Sequence, residues 1–183
     1  MNNVCILLFG LIGAGKSTFG TYLKERYDAG YMHVKHQLEK KYGLENVPSS
    51  YQNLLEKNNS RSYLLDLLKD ELCSLESMKI FILEGLFTMD EVLWCKSFFH
   101  RKVIVVYIET TDTDIRFYRV KKRGVHLYQK SKRNFKTCDE IRKKWGVDLM
   151  KNNADFIIYN NENKEIFFSY IDEFINKVNE NNA

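Results

Sequence analysis

The sequence predicts an α/β protein in which helices cover both faces of one parallel sheet. Short apolar runs alternate along the chain with segments of helical period, and this alternation is typical of parallel sheets. The runs at Cys5–Phe9 and Val103–Ile108 are apolar without interruption, as strands buried on both faces are. A glycine-rich turn at 10–15 joins the first run directly to a helical segment. We therefore expect a three-layer α/β fold.

Five apolar runs have the length of strands, and the second of them has the weakest pattern. Each is bounded by polar or glycine-containing segments, which are typical of the turns at strand ends. In chain order they are Val4–Phe9, Tyr31–Val34, Lys79–Leu83, Val103–Ile108 and Phe156–Tyr159.

The helical segments lie between these strands. One follows the glycine-rich turn, and two begin with aspartates, which favour helix starts. The remaining one carries Leu64, Leu65, Leu67, Leu68 and Leu72 at helical spacing. In chain order the helical segments are Lys16–Tyr27, Ser60–Leu75, Asp90–Phe99 and Asp112–Lys122. Because crossovers between parallel strands are right-handed, these helices are expected on both faces of the sheet.

A chain of 183 residues with 44% hydrophobic residues can bury one substantial core, so we predict a single domain over 1–183. Two polar segments interrupt the pattern and are predicted to be excursions from that core. They are about 35–59, which holds Pro48, the one proline, and about 124–137, which is basic. The asparagine-rich end at 176–183 is predicted to fray.

The four cysteines are widely separated and form no C-x-x-C pair, so they predict neither a disulfide framework nor a zinc site. Reduced thiols fit a cytoplasmic protein. The run Val4–Phe9 is too short to cross a bilayer and no signal peptide is visible, so we expect no membrane partner.

Positive charge is concentrated in one part of the chain. The net charge is +4, yet Arg116–Lys144 alone contains twelve Lys or Arg against two acidic residues. A basic block is commonly a solvated helical face, and it also suits a polyanion such as a nucleotide or a nucleic acid. The glycine-rich turn favours the nucleotide.

That turn satisfies the pattern G-x-x-x-x-G-K-[ST] through Gly10, Gly15, Lys16 and Ser17. The glycines let successive backbone N–H groups curl around phosphate oxygens, while Lys16 reaches the terminal phosphates. The Ser17 hydroxyl can complete a magnesium shell, and Thr18 is placed beside the inner phosphate. The alternative is a glycine-rich connection that binds nothing, but the strand before it and the helix after it favour a phosphate site.

Glu84 ends the third apolar run, at a position from which a carboxylate can reach magnesium, its water or a substrate hydroxyl. The alternative is an acidic residue that only caps the strand. Since the carboxyl ends of parallel strands share one edge of a sheet, we expect Glu84 beside the glycine-rich turn.

Arg119 and Arg123 lie one helical turn apart and therefore share a helix face. Guanidinium groups can stack on an adenine ring or grip phosphates in bidentate fashion. Arg133 lies in the basic excursion and could close over ATP. A solvated basic face is the alternative, and Arg116 could pair locally with Asp112 instead of binding a ligand.

In the order of these motifs the chain resembles the nucleoside monophosphate kinases, a group of P-loop proteins, and in particular the adenylate-kinase-like and dephospho-CoA-kinase-like members. Leu83–Gly85 is similar to their acid-glycine segment on strand 3, and Arg119–Gly124 is similar to the R-x-x-x-R that begins their lid. Trp145–Gly146 followed by Ala154–Asn160 resembles their return from lid to fifth strand.

The resemblance implies a three-layer P-loop kinase fold with a five-stranded parallel sheet of order 2-3-1-4-5, an acceptor-binding helical insert at about 35–59 and a basic lid at about 124–137. It places adenine near Arg119 and Asn160, and Mg²⁺ at Ser17 with Glu84 reaching it through water. The implied nucleotide-binding residues are Gly10, Gly13, Ala14, Gly15, Lys16, Ser17, Thr18, Arg119 and Asn160, and the implied catalytic residues are Lys16, Glu84, Arg123 and Arg133.

The expected function is transfer of the γ-phosphoryl of ATP, with Mg²⁺, to a nucleotide-like acceptor that carries a phosphate or a hydroxyl. Dephospho-CoA-kinase-like activity is the alternative within the resemblance. The alternative from another class is a non-catalytic regulatory or RNA-associated module that uses the same loop as a switch. The chain has no N-K-x-D segment for reading guanine, which disfavours a GTPase.

Two segments depart from the pattern of that group. Residues 31–40 carry neither the acidic pair of dephospho-CoA kinases nor the Asp-x-x-Arg of many nucleotide kinases. Cys138 stands where a lid arginine is expected, so Arg133 or Arg142 would substitute for it. His33 and His36 lie near the path of the acceptor without metal-ligand companions, and we expect them to be solvated or structural.

Overall fold

Five parallel strands form the centre of the molecule. The computed structural model describes residues 3–42, 61–124 and 131–180. Every neighbouring pair of strands is parallel and the order is β2-β3-β1-β4-β5, so the predicted fold class and strand order are confirmed. The strands are β1 (Val4–Phe9), β2 (Gly30–His33), β3 (Ile80–Glu84), β4 (Lys102–Glu109) and β5 (Phe156–Tyr159).

Helices connect the strands and cover both faces of the sheet. Within the described part of the chain they are α1 (Lys16–Tyr27), α2 (Val34–Tyr42), α3 (Tyr63–Asp66), α4 (Lys69–Leu75), α5 (Met89–Phe98), α6 (Thr113–Arg123), α7 (Lys132–Lys144), α8 (Val147–Asn152) and α9 (Lys164–Glu180). Over the same residues, none of these helices is long and apolar enough to span a membrane.

The side chains of β1 show why this strand is apolar throughout. Cys5, Leu7 and Phe9 belong to a core that α2 to α5 and α8 complete, whereas their neighbours Val4, Ile6 and Leu8 belong to a second core under α1 and α9. Successive strand residues point to opposite faces, so a strand covered on both faces has no polar position.

A third, smaller cluster fixes α7 to the rest of the molecule. Phe135 of α7 is fully buried and packs with Val120 of α6 and with Ile12, which lies in the loop after β1. The helix that begins within the basic excursion therefore contacts the glycine-rich loop directly.

Some predicted boundaries are wrong. The leucine-rich segment is not one helix, because the chain bends at Leu67 and Leu68, and the two short helices α3 and α4 both bury leucines in the first core. Val34 begins α2 rather than ending β2. The predicted fraying is wrong up to Glu180, since α9 extends there and buries Val178.

The two predicted excursions are described only in part. Of the acceptor insert, residues 35–42 form most of α2, and 43–59 lie outside the described residues. Of the lid, residues 125–130 lie outside them, and 132–137 begin α7.

Candidate active site

The glycine-rich loop lies between β1 and α1, at the carboxyl edge of the sheet. Gly13 has a φ of 75°, and a Cβ atom there would lie 2.5 Å from the carbonyl oxygen of Arg116. Gly15 has a φ of 111° and lies against the side-chain amide of Asn160. Both positions need glycine for its backbone conformation and for the close approach of a neighbour.

Two buried polar side chains support the loop from below. The Asn160 Nδ2 donates a hydrogen bond to the carbonyl oxygen of Ala14 at 2.7 Å. The Thr110 hydroxyl lies 3.2 Å from the same oxygen and 2.9 Å from the carbonyl oxygen of Asn160. Thr110 was not a predicted residue of the site, and its only sequence signal is its position as a polar residue directly after β4.

Lys16 begins α1 and curls back over the loop. Its Nζ donates to the carbonyl oxygens of Gly10 at 2.9 Å and Leu11 at 3.1 Å. Burial lowers the pKa of Lys16 to about 8, and the charges of Arg142 and Arg123 lower it further. The nearby Glu84 carboxylate opposes this shift by favouring the charged ammonium group. The ammonium group therefore lies among other cations, in a place where a polyanion would relieve their repulsion.

Glu84 ends β3 beside Lys16 and Ser17, and it is buried. The Ser17 hydroxyl donates to Glu84 Oε1 at 3.1 Å, and the Tyr31 hydroxyl donates to Oε2. A serine hydroxyl and a carboxylate in contact form the kind of oxygen donor set that Mg²⁺ prefers.

Tyr31 and His33 extend the site along β2. His33 Nε2 lies 3.9 Å from Glu84 Oε1, and its ring stacks on His36 with 4.1 Å between centroids. Burial lowers the pKa of His33 to about 4, so the ring is neutral at neutral pH, although Glu84 opposes the shift. Burial and the Glu84 carboxylate raise the pKa of Tyr31, so its hydroxyl stays protonated. The sequence gives no sign that Tyr31 belongs to the site, because tyrosine is a common residue in strands.

The predicted arginine pair shares one face of α6. Arg119 Nη1 donates to the carbonyl oxygen of Asn160 at 3.0 Å and to the Thr110 hydroxyl at 3.2 Å. Burial lowers the pKa of Arg119, and so does the charge of Arg123. The structure thus places Arg119 beside Asn160, and Arg123 within electrostatic reach of both Arg119 and Lys16.

Arg116 does not pair with Asp112, contrary to the sequence prediction. Asp112 instead caps α6, since its carboxylate accepts the backbone N–H groups of Asp114 and Ile115. Arg116 is buried and forms an ion pair with Asp139 of α7. A side chain at the start of a helix often caps that helix, and Asp112 is therefore not available to Arg116.

The two arginines of α7 occupy different environments. The charge of Arg142 reaches Lys16, and its guanidinium lies 5.9 Å from the ring centroid of Phe87. Arg133 is exposed near the beginning of the helix, so its predicted contact with the transferred phosphoryl stays a prediction. Of the two arginines, Arg142 is the one whose charge acts on Lys16.

The chain is similar to a known protein family and to a curated relative. A family model described as "AAA domain" matches residues 6–142. A UPF0200 protein from Thermococcus onnurineus (strain NA1) is 29% identical over 104 residues, which are 57% of this chain and 56% of that protein. The chain thus matches about half the length of this curated relative.

Two solved structures of shikimate kinases have the same fold. The enzyme from Acinetobacter baumannii, solved in complex with shikimate, is similar over 99% of this chain and 95% of that chain, with a TM-score of 0.66 and 18% identity. The enzyme from Bacteroides thetaiotaomicron is similar over 96% of this chain and 98% of that chain, with a TM-score of 0.65 and 15% identity. At such identities the likeness concerns the fold.

Proposed function

The chain belongs to the AAA domain family, and from this premise we propose that it is an ATP- and Mg²⁺-dependent kinase of a small molecule. The P-loop kinase fold supports nucleotide binding, and its shikimate kinase neighbours support transfer of a phosphoryl group to a small acceptor. The chemical class of the acceptor has to come from the residues of this chain, because the similarity to the shikimate kinases concerns the fold.

The contact between Ser17 and Glu84 is the observation that carries the proposal. A phosphate-binding loop alone is common to many activities, but here its serine donates to a buried carboxylate 67 positions away in the chain. Glu84 lies where a carboxylate can orient a metal-bound water or accept a proton, and the neighbouring Lys16 would bind the phosphates.

The positive charges around the loop fit the needs of phosphoryl transfer. This reaction demands little covalent chemistry, and catalysis comes from positioning and from charges aimed at the transferring group. We propose that Lys16 and Arg123 contact the transferred phosphoryl, and that Arg142 takes the position of the missing lid arginine. The loop N–H groups from Gly13 to Thr18 would bind the other phosphates.

Mg²⁺ would enter with the nucleotide and withdraw charge from its phosphate oxygens. The Ser17 hydroxyl would hold it directly and Glu84 through water, because both are oxygen donors in mutual contact. The adenine is proposed to lie against Arg119, whose guanidinium is held in place by its bonds to Asn160 and Thr110.

A panel of acceptors tests this proposal. The protein is incubated with ATP, Mg²⁺ and nucleoside monophosphates, nucleosides or dephospho-CoA, and ADP release is measured for each. We expect acceptor-dependent ADP release that Lys16→Ala removes. Absence of ATP binding by the wild-type protein, or release of ADP that Lys16→Ala leaves unchanged, would overturn the proposal.

A further inference from the structure

The two sides of the candidate site differ in charge. The loop side carries Lys16 and the charges of Arg123 and Arg142. The ends of β2 and β3 present the Glu84 carboxylate, which lies beside Lys16 and Ser17, together with the Tyr31 hydroxyl and the His33 ring. A second substrate approaching the γ-phosphate from these strand ends would therefore meet the negative charge of Glu84.

The segment expected to bind the acceptor adds little positive charge. Residues 35–59 contain no arginine, and their four lysines are accompanied by three glutamates. Two of these lysines form ion pairs. The Nζ of Lys35 lies 3.1 Å from Glu39 Oε1, and the Nζ of Lys41 lies 3.0 Å from Glu71 Oε2.

Arg61, which follows this segment, is directed into the protein. Its guanidinium lies 4.4 Å from the ring centroid of Phe87 and 5.2 Å from that of Trp145, and its Nε is 3.4 Å from Glu91 Oε1. Arg61 is 7% exposed, so its charge is engaged within the fold rather than offered to an acceptor.

These charges disfavour a phosphate as the group that attacks ATP. A phosphate monoester carries close to two negative charges at neutral pH, and proteins commonly bind it with guanidinium groups in bidentate fashion. Beside Glu84 and the γ-phosphate it would meet two further anions. A hydroxyl carries no charge and needs only a group that accepts its proton, which a carboxylate can do.

We infer that the group phosphorylated is a hydroxyl on an uncharged part of a small molecule, which packs against Tyr31, His33 and His36 with its O–H directed at Glu84. This inference rests on the proposed kinase function. A carboxylate has about four lone-pair sites, so the bonds from Ser17 and Tyr31 leave room for a third donor.

The reaction then balances without a further reactant. The hydroxyl oxygen forms a bond to the γ-phosphorus while the bond from that phosphorus to the β,γ-bridging oxygen breaks. Glu84 takes the hydroxyl proton and later releases it to solvent. The products are ADP and a phosphate monoester, whereas a phosphate acceptor would give a phosphoanhydride.

The chemical stability of the product distinguishes the two acceptor classes. The wild-type protein is incubated with Mg²⁺ and ATP labelled in the γ-phosphoryl group, together with nucleoside monophosphates, the matching nucleosides, or a small-molecule filtrate of a cell extract. We expect the label in monoesters, which survive hot dilute acid. Label only in acid-labile anhydrides would overturn the inference and leave the kinase proposal standing. No transfer above the Lys16→Ala background in any mixture would overturn both.

Variants at Glu84 and His33 test the roles of these residues. With a hydroxyl acceptor, Glu84→Gln should lower kcat by about 100-fold or more at saturating Mg²⁺, since general base catalysis contributes roughly that factor. His33→Ala should raise the KM of the acceptor and leave the KM of ATP unchanged. If Glu84→Gln only raises the Mg²⁺ requirement and leaves kcat unchanged, Glu84 does not accept the proton and the inference is wrong.

Discussion

Arg116 and Asp139 form a buried ion pair, with 2.6 Å between Nη1 and Oδ2, that joins α6 to α7 behind the glycine-rich loop. The same Nη1 donates to the carbonyl oxygen of Ile12 at 3.0 Å, and the Phe135 ring lies 5.3 Å from the guanidinium. The backbone of the loop is thus positioned by a charge pair between α6 and α7.

Loss of Asp139 should destabilise the protein. Asp139→Asn leaves the Arg116 charge buried without its carboxylate, which costs about 3–5 kcal/mol in the free energy of unfolding, measured by urea denaturation. Glu140→Gln, at the exposed neighbouring position, is the matched control and should change stability by less than about 0.5 kcal/mol. An equal loss of unfolding free energy in the two variants would show that the Arg116–Asp139 ion pair does not stabilise the protein.

Gly13 and Gly124 both have positive φ angles, 75° and 70°, but different surroundings. A Cβ at Gly13 would meet the backbone of Arg116, whereas nothing lies within 4 Å of a Cβ at Gly124. Gly124→Ala should therefore cost only the conformational strain, about 1 kcal/mol. Gly13→Ala should distort the loop as well and lower ATP affinity by about tenfold or more. Titration of both variants with ATP, followed calorimetrically, checks this, and equal affinities would count against a phosphate-binding role of the loop.

The sequence predicts Glu84 beside the loop but not the partner of Arg116, for a physical reason. The carboxyl ends of parallel strands meet at one edge of the sheet, so the position of Glu84 follows from strand order alone. Asp139 is far from Arg116 in sequence, and the two residues meet because α7 packs against α6 through Phe135 and Val120. Tyr31 likewise shows no signal, because its hydroxyl meets Glu84 only once β2 and β3 are paired.

Asn160 should affect both stability and nucleotide affinity. Asn160→Ala removes a donor to the Ala14 carbonyl and a partner of Arg119, so we expect a loss of about 1–3 kcal/mol in unfolding free energy and weaker ATP binding. Asn161→Ala is the matched control, because that side chain accepts the Thr111 N–H at an exposed site. Thermal denaturation with and without ATP measures both effects, and a similar response of the two variants would disagree with this account of the loop.

The pKa of Lys16 predicts proton uptake on nucleotide binding. In the free protein this pKa is about 8, and nearby phosphates would raise it. Above about pH 8 the complex therefore binds more protons than the free protein, so ATP affinity falls as pH rises, with uptake of up to about one proton at pH 9. Calorimetry in two buffers of different ionisation enthalpy measures this uptake.

Lys16→Arg is the control for this pH dependence, since an arginine keeps its charge throughout the range. The variant should bind ATP without proton uptake in the same buffers. Uptake that persists in Lys16→Arg would assign the titration to another group.

The central claim is that the site around Lys16 transfers the γ-phosphoryl of ATP to a small molecule. The most direct measurement is the rate at which labelled γ-phosphoryl passes from ATP to an organic product in the wild type, in Lys16→Ala and in Lys121→Ala. Lys121 is exposed on α6 and serves as the control for loss of one positive charge. We predict that Lys16→Ala transfers the label about 100-fold more slowly or worse, and that Lys121→Ala equals the wild type. Transfer by Lys16→Ala at the wild-type rate would contradict the account.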